Sequence, residues 1–255
     1  MIPLDTTVGF FTDPTVCIGC KACEVACKEW NDVPEDGLIW TGNSYDNSGS
    51  LGSATWRHVK FREGSNPLRW DFLSDVCKHC EHAGCLEACP TGSIIRTEMG
   101  TVYVQDDVCN GCGYCVVGCP FGVIDRRQKP LPGAGGAFKC TFCYDRQLDG
   151  LVPACAKACP TESIQFGPLD ELRARAEKRA ADLHARGLAE ARIYDPVDTS
   201  VGGIHAFFLL TAPPEDFGLP VRPEVPTVYL KAAWLSAAMT SVLALAGACL
   251  AFALL

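Results

Sequence analysis

All but one of the 17 cysteines fall into four groups of four. Group one is Cys17, Cys20, Cys23 and Cys27, and group two is Cys77, Cys80, Cys85 and Cys89. Group three is Cys109, Cys112, Cys115 and Cys119, and group four is Cys140, Cys143, Cys155 and Cys159. So many thiols in 255 residues point to disulfides, zinc ligands or iron–sulfur ligands. Spacing separates the three. Groups one and three read C-x2-C-x2-C-x3-C, the run by which paired [4Fe–4S] clusters are held, and groups two and four lengthen only the gap before the third Cys. Three thiols two residues apart wrap one cubane on a tight loop, and the fourth Cys faces a neighbouring cluster. Disulfides inside such a run are strained. Zinc ribbons separate their C-x2-C pairs by longer stretches, although groups two and four taken singly share that pair with zinc sites. The four complete groups match four [4Fe–4S] clusters, with Cys249 left over.

Because the fourth Cys reaches across, the groups must pair, either in sequence order or one pair inside the other. A single hairpin's length separates groups two and three, the spacing of one ferredoxin unit, so these two pair with each other. Group one then pairs with group four. The expected sets are Cys17, Cys20, Cys23 and Cys159; Cys140, Cys143, Cys155 and Cys27; Cys77, Cys80, Cys85 and Cys119; and Cys109, Cys112, Cys115 and Cys89. The fold class expected is α+β: two ferredoxin-like two-cluster units, one nested in the other, plus a C-terminal transmembrane helix. Residues 1–30 and 138–168 form the outer unit, and 31–137 an insertion with the inner unit. Residues 169–227 form a helix and extended linker, and 228–255 the transmembrane helix.

These elements have local signals. Residues 89–97 read CPTGSIIRT, followed by a turn at Met99-Gly100 and the run TVYV; residues 159–166 read CPTESIQF. Both copies predict a short strand, a Gly turn and a second strand. A Gly/Ser/Asn-rich stretch from Gly42 to Ser53 and a strand at Trp56–Phe61 mark the insertion. Residues 128–137, with Pro130, Pro132 and three Gly, read as a loop. Leu169, Leu172, Ala176, Ala180 and Leu183 recur at helical spacing, so residues 169–187 predict a helix with Gly187 at its C-terminal cap. Its Arg173, Arg175, Lys178 and Arg179 make either a solvated basic face or a docking face.

Ala232 to Leu255 are 24 residues without a charge. As a helix they reach about 36 Å, against a bilayer core of about 30 Å. Lys231 and Trp234 stand where interface anchors would. Ser236, Thr240, Ala244 and Ala248 form a small-residue stripe, and Cys249 inside the span reads as an inert small hydrophobe. Met1 to Phe11 lack a basic and an apolar region, so no signal peptide is expected.

The net charge of -8 argues against a nucleic-acid partner. No Gly-rich dinucleotide fingerprint and no evident acid, base or nucleophile accompanies the thiols. His79 and His82 lie inside group two, whose cysteines already complete the site, so neither is expected to be a ligand. Lys21, Lys28, Lys78, Lys139 and Arg126 flank the groups and either offset anionic clusters or are ordinary surface charge.

The segment KCTFCYDRQLDGLVPACAKACPTESIQFG resembles the last motif of the four-cluster, ferredoxin-like electron-transfer subunits of molybdenum and tungsten enzymes. HCEHAGCLEACPTGSII, CNGCGYCVVGCPFGV, LDELRARAEKRAADLHARG, YDPVDTSVGGIHAFFLL and the C-terminal span are similar to the β subunits of membrane-bound formate dehydrogenases. Nitrate reductase relatives often carry Trp within the third group; here Cys112 stands, which fits four cubanes. The resemblance implies a relay. A molybdopterin-containing catalytic partner oxidises formate, this chain passes electrons along its clusters, and a membrane cytochrome b delivers them to quinone. It further implies a single-pass protein of the cytoplasmic membrane, anchored in lipid with its bulk in the periplasm and exported on the partner's twin-arginine signal. The alternatives are the same subunit serving a sulfur-compound, dimethyl sulfoxide or nitrate enzyme or a hydrogenase, and a membrane-anchored zinc-binding module.

Overall fold

The computed structural model describes residues 2–40, 42, 46–63, 70–128 and 135–253. Strand β1 (Val8–Thr12) leads into group one, whose last two thiols lie on helix α1 (Ala22–Trp30). The hairpin β2 (Arg57–Glu63) and β3 (Trp70–Val76) delivers the chain to group two and helix α2 (Gly84–Glu87). Hairpin β4 (Ile94–Arg96) and β5 (Val102–Val104) precedes group three and helix α3 (Tyr114–Val117). Hairpin β6 (Asp125–Gln128) and β7 (Gly135–Phe138) precedes group four, borne by α4 (Tyr144–Leu148) and α5 (Ala154–Lys157). The chain continues through β8 (Ile164–Pro168), α6 (Leu169–Ala185), β9 (Arg192–Tyr194), β10 (Ala206–Leu210) and α7 (Leu230–Ala253).

Helix length around the thiols follows from proline. Cys89, Cys119 and Cys159 each precede Pro, and the residue before Pro is pushed out of the helical region. The helices before these three thiols are each 4 residues long. Cys27 is followed by Lys28, and α1 runs on to 9 residues.

The first predicted hairpin forms, with Ile94 opposite Val104 and Gly100 turning at φ +78°. The second copy does not form a local hairpin. β8 pairs antiparallel with β1, with Val8 opposite Pro168 and Thr12 opposite Ile164, so its partner comes from the start of the chain. The sheet order is β8-β1-β10-β9, with β1 parallel to β10. The expected extended linker after α6 therefore contributes β9 and β10, and every residue of β10 is buried. Its signal was AFFLL, which without alternation marks a strand covered on both faces. The expected loop at 128–137 narrows as well: Gln128 and Gly135–Ala137 belong to strands, and 129–134 lie outside the described residues.

β1 divides two cores. Phe11 stacks on Phe207 at 5.4 Å beneath α6, while Phe10 meets Phe142 at 4.2 Å on the side of the thiols. Helix α6 buries Leu169, Leu172, Ala176, Ala180 and Leu183, the stripe read from the sequence. Gly187 closes it at φ +89°, with its N–H on the His184 carbonyl at 2.9 Å and the Leu188 N–H on Leu183 at 3.0 Å. The basic residues are largely bound within the chain. Arg179 pairs with Asp13 at 2.8 Å, Arg173 with Asp195 at 3.0 Å, and Arg175 donates to Gln165 at 2.8 Å; Lys178 is exposed.

Helix α7 has no buried residue and, with the turn before it, makes one element of 28 residues long and apolar enough to cross a membrane, Pro226–Ala253. The last two residues of the expected span, 254–255, lie outside the described residues. Ser241 Oγ, beside the small-residue stripe, donates to the Ala237 carbonyl at 2.8 Å, and Thr240 of the stripe bonds back to Ser236.

Candidate metal centre

All four groups share one backbone feature. The residue two positions after the first Cys is left-handed: Gly19 (φ +66°), His79 (φ +46°), Gly111 (φ +72°) and Phe142 (φ +62°). A left-handed residue turns successive N–H groups toward one side and forms a concave donor surface for an anion. Packing holds the two non-glycine cases. Phe142 is fully buried between Phe10 and the His79 ring, 4.5 Å away, and its N–H donates to Cys140 Sγ at 3.3 Å.

The thiols converge across the sequence. Cys17, Cys20, Cys23 and Cys159 line one cavity, and Cys77, Cys80, Cys85 and Cys119 line another. Cys27 lies among Cys140, Cys143 and Cys155. The Asn31 amide joins two of them, 3.8 Å from Cys27 Sγ and 3.9 Å from Cys143 Sγ. Cys115 lies among Cys109, Cys112 and Cys89. The quartets lie within electrostatic reach of one another in line: Cys23 feels Cys155, Cys140 feels Cys77, and Cys85 feels Cys115. Cys249 is exposed on α7, apart from all of them.

Burial, reinforced by neighbouring thiols, pushes Cys23, Cys115 and Cys143 up to about 11 and Cys85 up to about 12. Thiols so placed become thiolates when a cationic metal replaces their protons. Cys89 differs. Against the upward push of burial, the hydroxyls of Ser93 and Thr91 bring it down to about 7, with Ser93 Oγ 3.2 Å from the sulfur. Among the described residues, Cys, His, Asp and Glu side chains do not converge in threes as around a single metal ion. Four-thiol donor sets spread around apolar cavities, with N–H and O–H donors directed at sulfur, fit cubane clusters.

His79 accepts the Val102 N–H on Nδ1 at 3.0 Å, and burial holds its imidazole well below its usual pKa, hence neutral. His82 is exposed. The flanking cations divide. Lys78 and Lys139 are buried, Lys78 against Asp75, whereas Lys139 donates to the Val102 carbonyl at 2.5 Å and the Cys140 carbonyl at 3.1 Å. Lys21 pairs with Asp46 at 2.7 Å and Lys28 with Asp36 at 3.4 Å, toward the surface.

Sequence reasoning missed Arg57. It is fully buried on β2, and its Nη2 donates to Cys155 Sγ at 3.4 Å. Its Nη1 reaches the Ser74 carbonyl at 3.2 Å, and Ser74 Oγ lies 3.2 Å from Cys23 Sγ. A signal existed: period-two alternation puts Arg57 on the face of Val59 and Phe61. The insertion is thus part of the thiol surroundings, and the Val59 N–H also binds buried Glu24 of α1 at 2.5 Å.

Comparison with known proteins agrees with this geometry. A family described as a 4Fe-4S dicluster domain matches residues 68–169, and a second family of that description matches residues 16–93. The formate dehydrogenase iron-sulfur subunit of Haemophilus influenzae is 42% identical over 219 residues, covering 84% of this chain and 68% of that protein. The formate dehydrogenase-O iron-sulfur subunit of Escherichia coli is 41% identical over 227 residues, covering 86% of this chain and 72% of that protein. The B subunit of the anaerobic dimethyl sulfoxide reductase of Escherichia coli is 36% identical over 182 residues, covering 71% of this chain and 82% of that protein. The zinc-module alternative falls with these matches. Likeness of this degree over most of the chain, around two dicluster units, makes the chain a member of the formate dehydrogenase iron–sulfur subunit family, an electron-transfer subunit carrying four [4Fe–4S] clusters.

Proposed function

We propose that the clusters are held in the nested arrangement and work as a linear relay between a molybdopterin-containing formate-oxidising subunit and a membrane cytochrome b. The observation that carries the reading is the crossing of thiols between distant groups, Cys159 into group one and Cys27 into group four. Cys17, Cys20, Cys23 and Cys159 hold the first cluster; Cys140, Cys143, Cys155 and Cys27 the second; Cys77, Cys80, Cys85 and Cys119 the third; Cys109, Cys112, Cys115 and Cys89 the fourth. Residues 1–30 and 138–168 are then the outer unit, and 31–137 the insertion with the inner unit.

Each cluster, when bound, supplies one reversible one-electron site. The chain's residues fix the spacing and exclude water. The in-line electrostatic proximity of the quartets supports the order first to fourth. The ends of that line are its exposed thiols, Cys20 and Cys112. The membrane end is that of the third and fourth clusters: Thr227, just before α7, bonds to Glu87 of α2, between Cys85 and Cys89, and Val225 is buried close to Gly84. Helix α7 then anchors the chain in the lipid of the cytoplasmic membrane, with the bulk in the periplasm. Cys20 and its exposed neighbours Ile18 and Val25 face the catalytic partner.

The Cys27→Ser variant tests the nesting. About four of about 16 iron atoms are expected to be lost, and the loss falls on the cluster of Cys140, Cys143 and Cys155 in resonance spectra. Loss at the cluster of Cys17, Cys20 and Cys23 overturns it. The co-purifying large subunit tests the partner: formate should reduce the clusters of the intact complex. Reduction only by another donor, or reoxidation by dimethyl sulfoxide, favours the second reading, in which the chain serves a reductase like that of the dimethyl sulfoxide relative.

A further inference from the structure

Arg57 heads the fully buried side chains of the molecule, yet among the described residues no carboxylate pairs with it. Its Nε has no hydrogen-bond partner. Burying an unpaired guanidinium is costly unless other anions face it. The anionic groups available are thiolates. Nη2 reaches Cys155 Sγ directly at 3.4 Å, and Nη1 is 3.3 Å from Ser74 Oγ, which in turn lies 3.2 Å from Cys23 Sγ. Cys155 and Cys23 belong to different quartets, and Cys27 and Cys140 lie in the same field. On the remaining side is the Phe10 ring, 4.9 Å from the guanidinium carbon, so water does not screen the charge.

We propose that the Arg57 guanidinium is a fixed positive charge set between the first two clusters of the relay, and that it raises the reduction potential of both. The inference rests on the thiol assignment proposed above. Adding an electron makes a cluster more negative, and a nearby cation in a poorly screened interior favours that reduced state. The N–H donated to the Cys155 sulfur acts in the same direction. Arg57 itself exchanges neither proton nor electron; it is a positioning and tuning residue.

Two other buried cations sharpen the assignment. Lys78 faces the third quartet but, unlike Arg57, has a carboxylate against it, Asp75, which it shares with Lys60. Lys139 holds backbone carbonyls and stands between the second quartet and the third, near Cys140, Cys77, Cys85 and Cys119. Arg57 thus occupies the first gap and Lys139 the second.

The test uses the full-length, cluster-loaded chain with Arg57→Gln, Arg57→Lys and Lys139→Gln, read by iron content and by redox titration of each cluster's resonance signal. Arg57→Gln should keep the wild-type iron content, lower the potentials of the first and second clusters, and leave the third and fourth in place. Arg57→Lys keeps the charge and should hold both potentials near wild type. Lys139→Gln should lower the second and third instead. An equal shift in all four clusters, or no shift, in an iron-loaded Arg57→Gln chain overturns the proposal. So does an Arg57→Lys chain whose first two potentials fall, even where the Gln variant does not load. The signals are assigned independently through Cys27→Ser. If that variant places the shifted signals on other thiols, the assignment fails rather than the effect of the charge.

Discussion

Groups two and three, like groups one and four, join one regular C-x2-C-x2-C-x3-C run to one with a lengthened gap before the third Cys, yet the chain closes the two pairs in opposite ways. Groups two and three are joined by the local hairpin β4–β5, turning at Gly100. Groups one and four are brought together by β1 and β8, whose register pairs Val8 with Pro168 across nearly the whole thiol-bearing part of the chain. A local turn costs little closure entropy, whereas a long-range pair forms only when the intervening chain is already ordered. The outer thiols therefore depend on the whole molecule. They also draw on the insertion, which places Arg57 and Ser74 of the β2–β3 hairpin against their sulfurs.

The comparison is broken most directly at β1. A Cβ on Gly9 would meet the His205 carbonyl oxygen and Leu169 Cδ1, each at 2.7 Å. Gly9→Val should prevent β1 from seating between β8 and β10, and iron should fall toward half of about 16 atoms, with the signals of groups two and three surviving. Equal loss of all four signals would mean that the two halves are not separable.

A smaller effect is expected at Phe142, whose ring meets Phe10 on one side and His79 of group two on the other. Phe142→Ala should destabilise by about 3–5 kcal/mol, read as a lower denaturant midpoint. The resonance signals of the second and third clusters should broaden together. Broadening of one alone would show that the ring belongs to one half.

The smallest effect is expected far from both halves. Gly187 is left-handed with open space around it, so Gly187→Ala adds backbone strain alone, about 1–2 kcal/mol. The unfolding temperature should fall slightly and all four cluster signals should stay unchanged.

Much of this was legible from residue order. The four thiol groups, the β4–β5 hairpin, the buried stripe and C-cap of α6 and the apolar length of α7 are local patterns. Spacing over a few residues sets backbone geometry there, and no distant partner is needed. Proline after three of the four final cysteines is equally local, and it separates the long helix α1 from its short counterparts.

Tertiary structure decided what depends on distant partners. CPTESIQF has the same local preferences as CPTGSIIRT, but its strand found β1 rather than a hairpin mate, because a strand pairs with whichever edge the fold presents. The stretch after α6 supplied an inner strand, β10, and an edge strand, β9, for the same reason. Charge was the least legible property. Lys21 and Lys139 look alike beside their cysteines, yet one pairs with Asp46 toward solvent and the other is buried among thiols. Arg57 carried only a faint alternation signal. Sequence determines that a guanidinium is charged; only the folded surroundings determine whether water screens that charge and which sulfurs feel it.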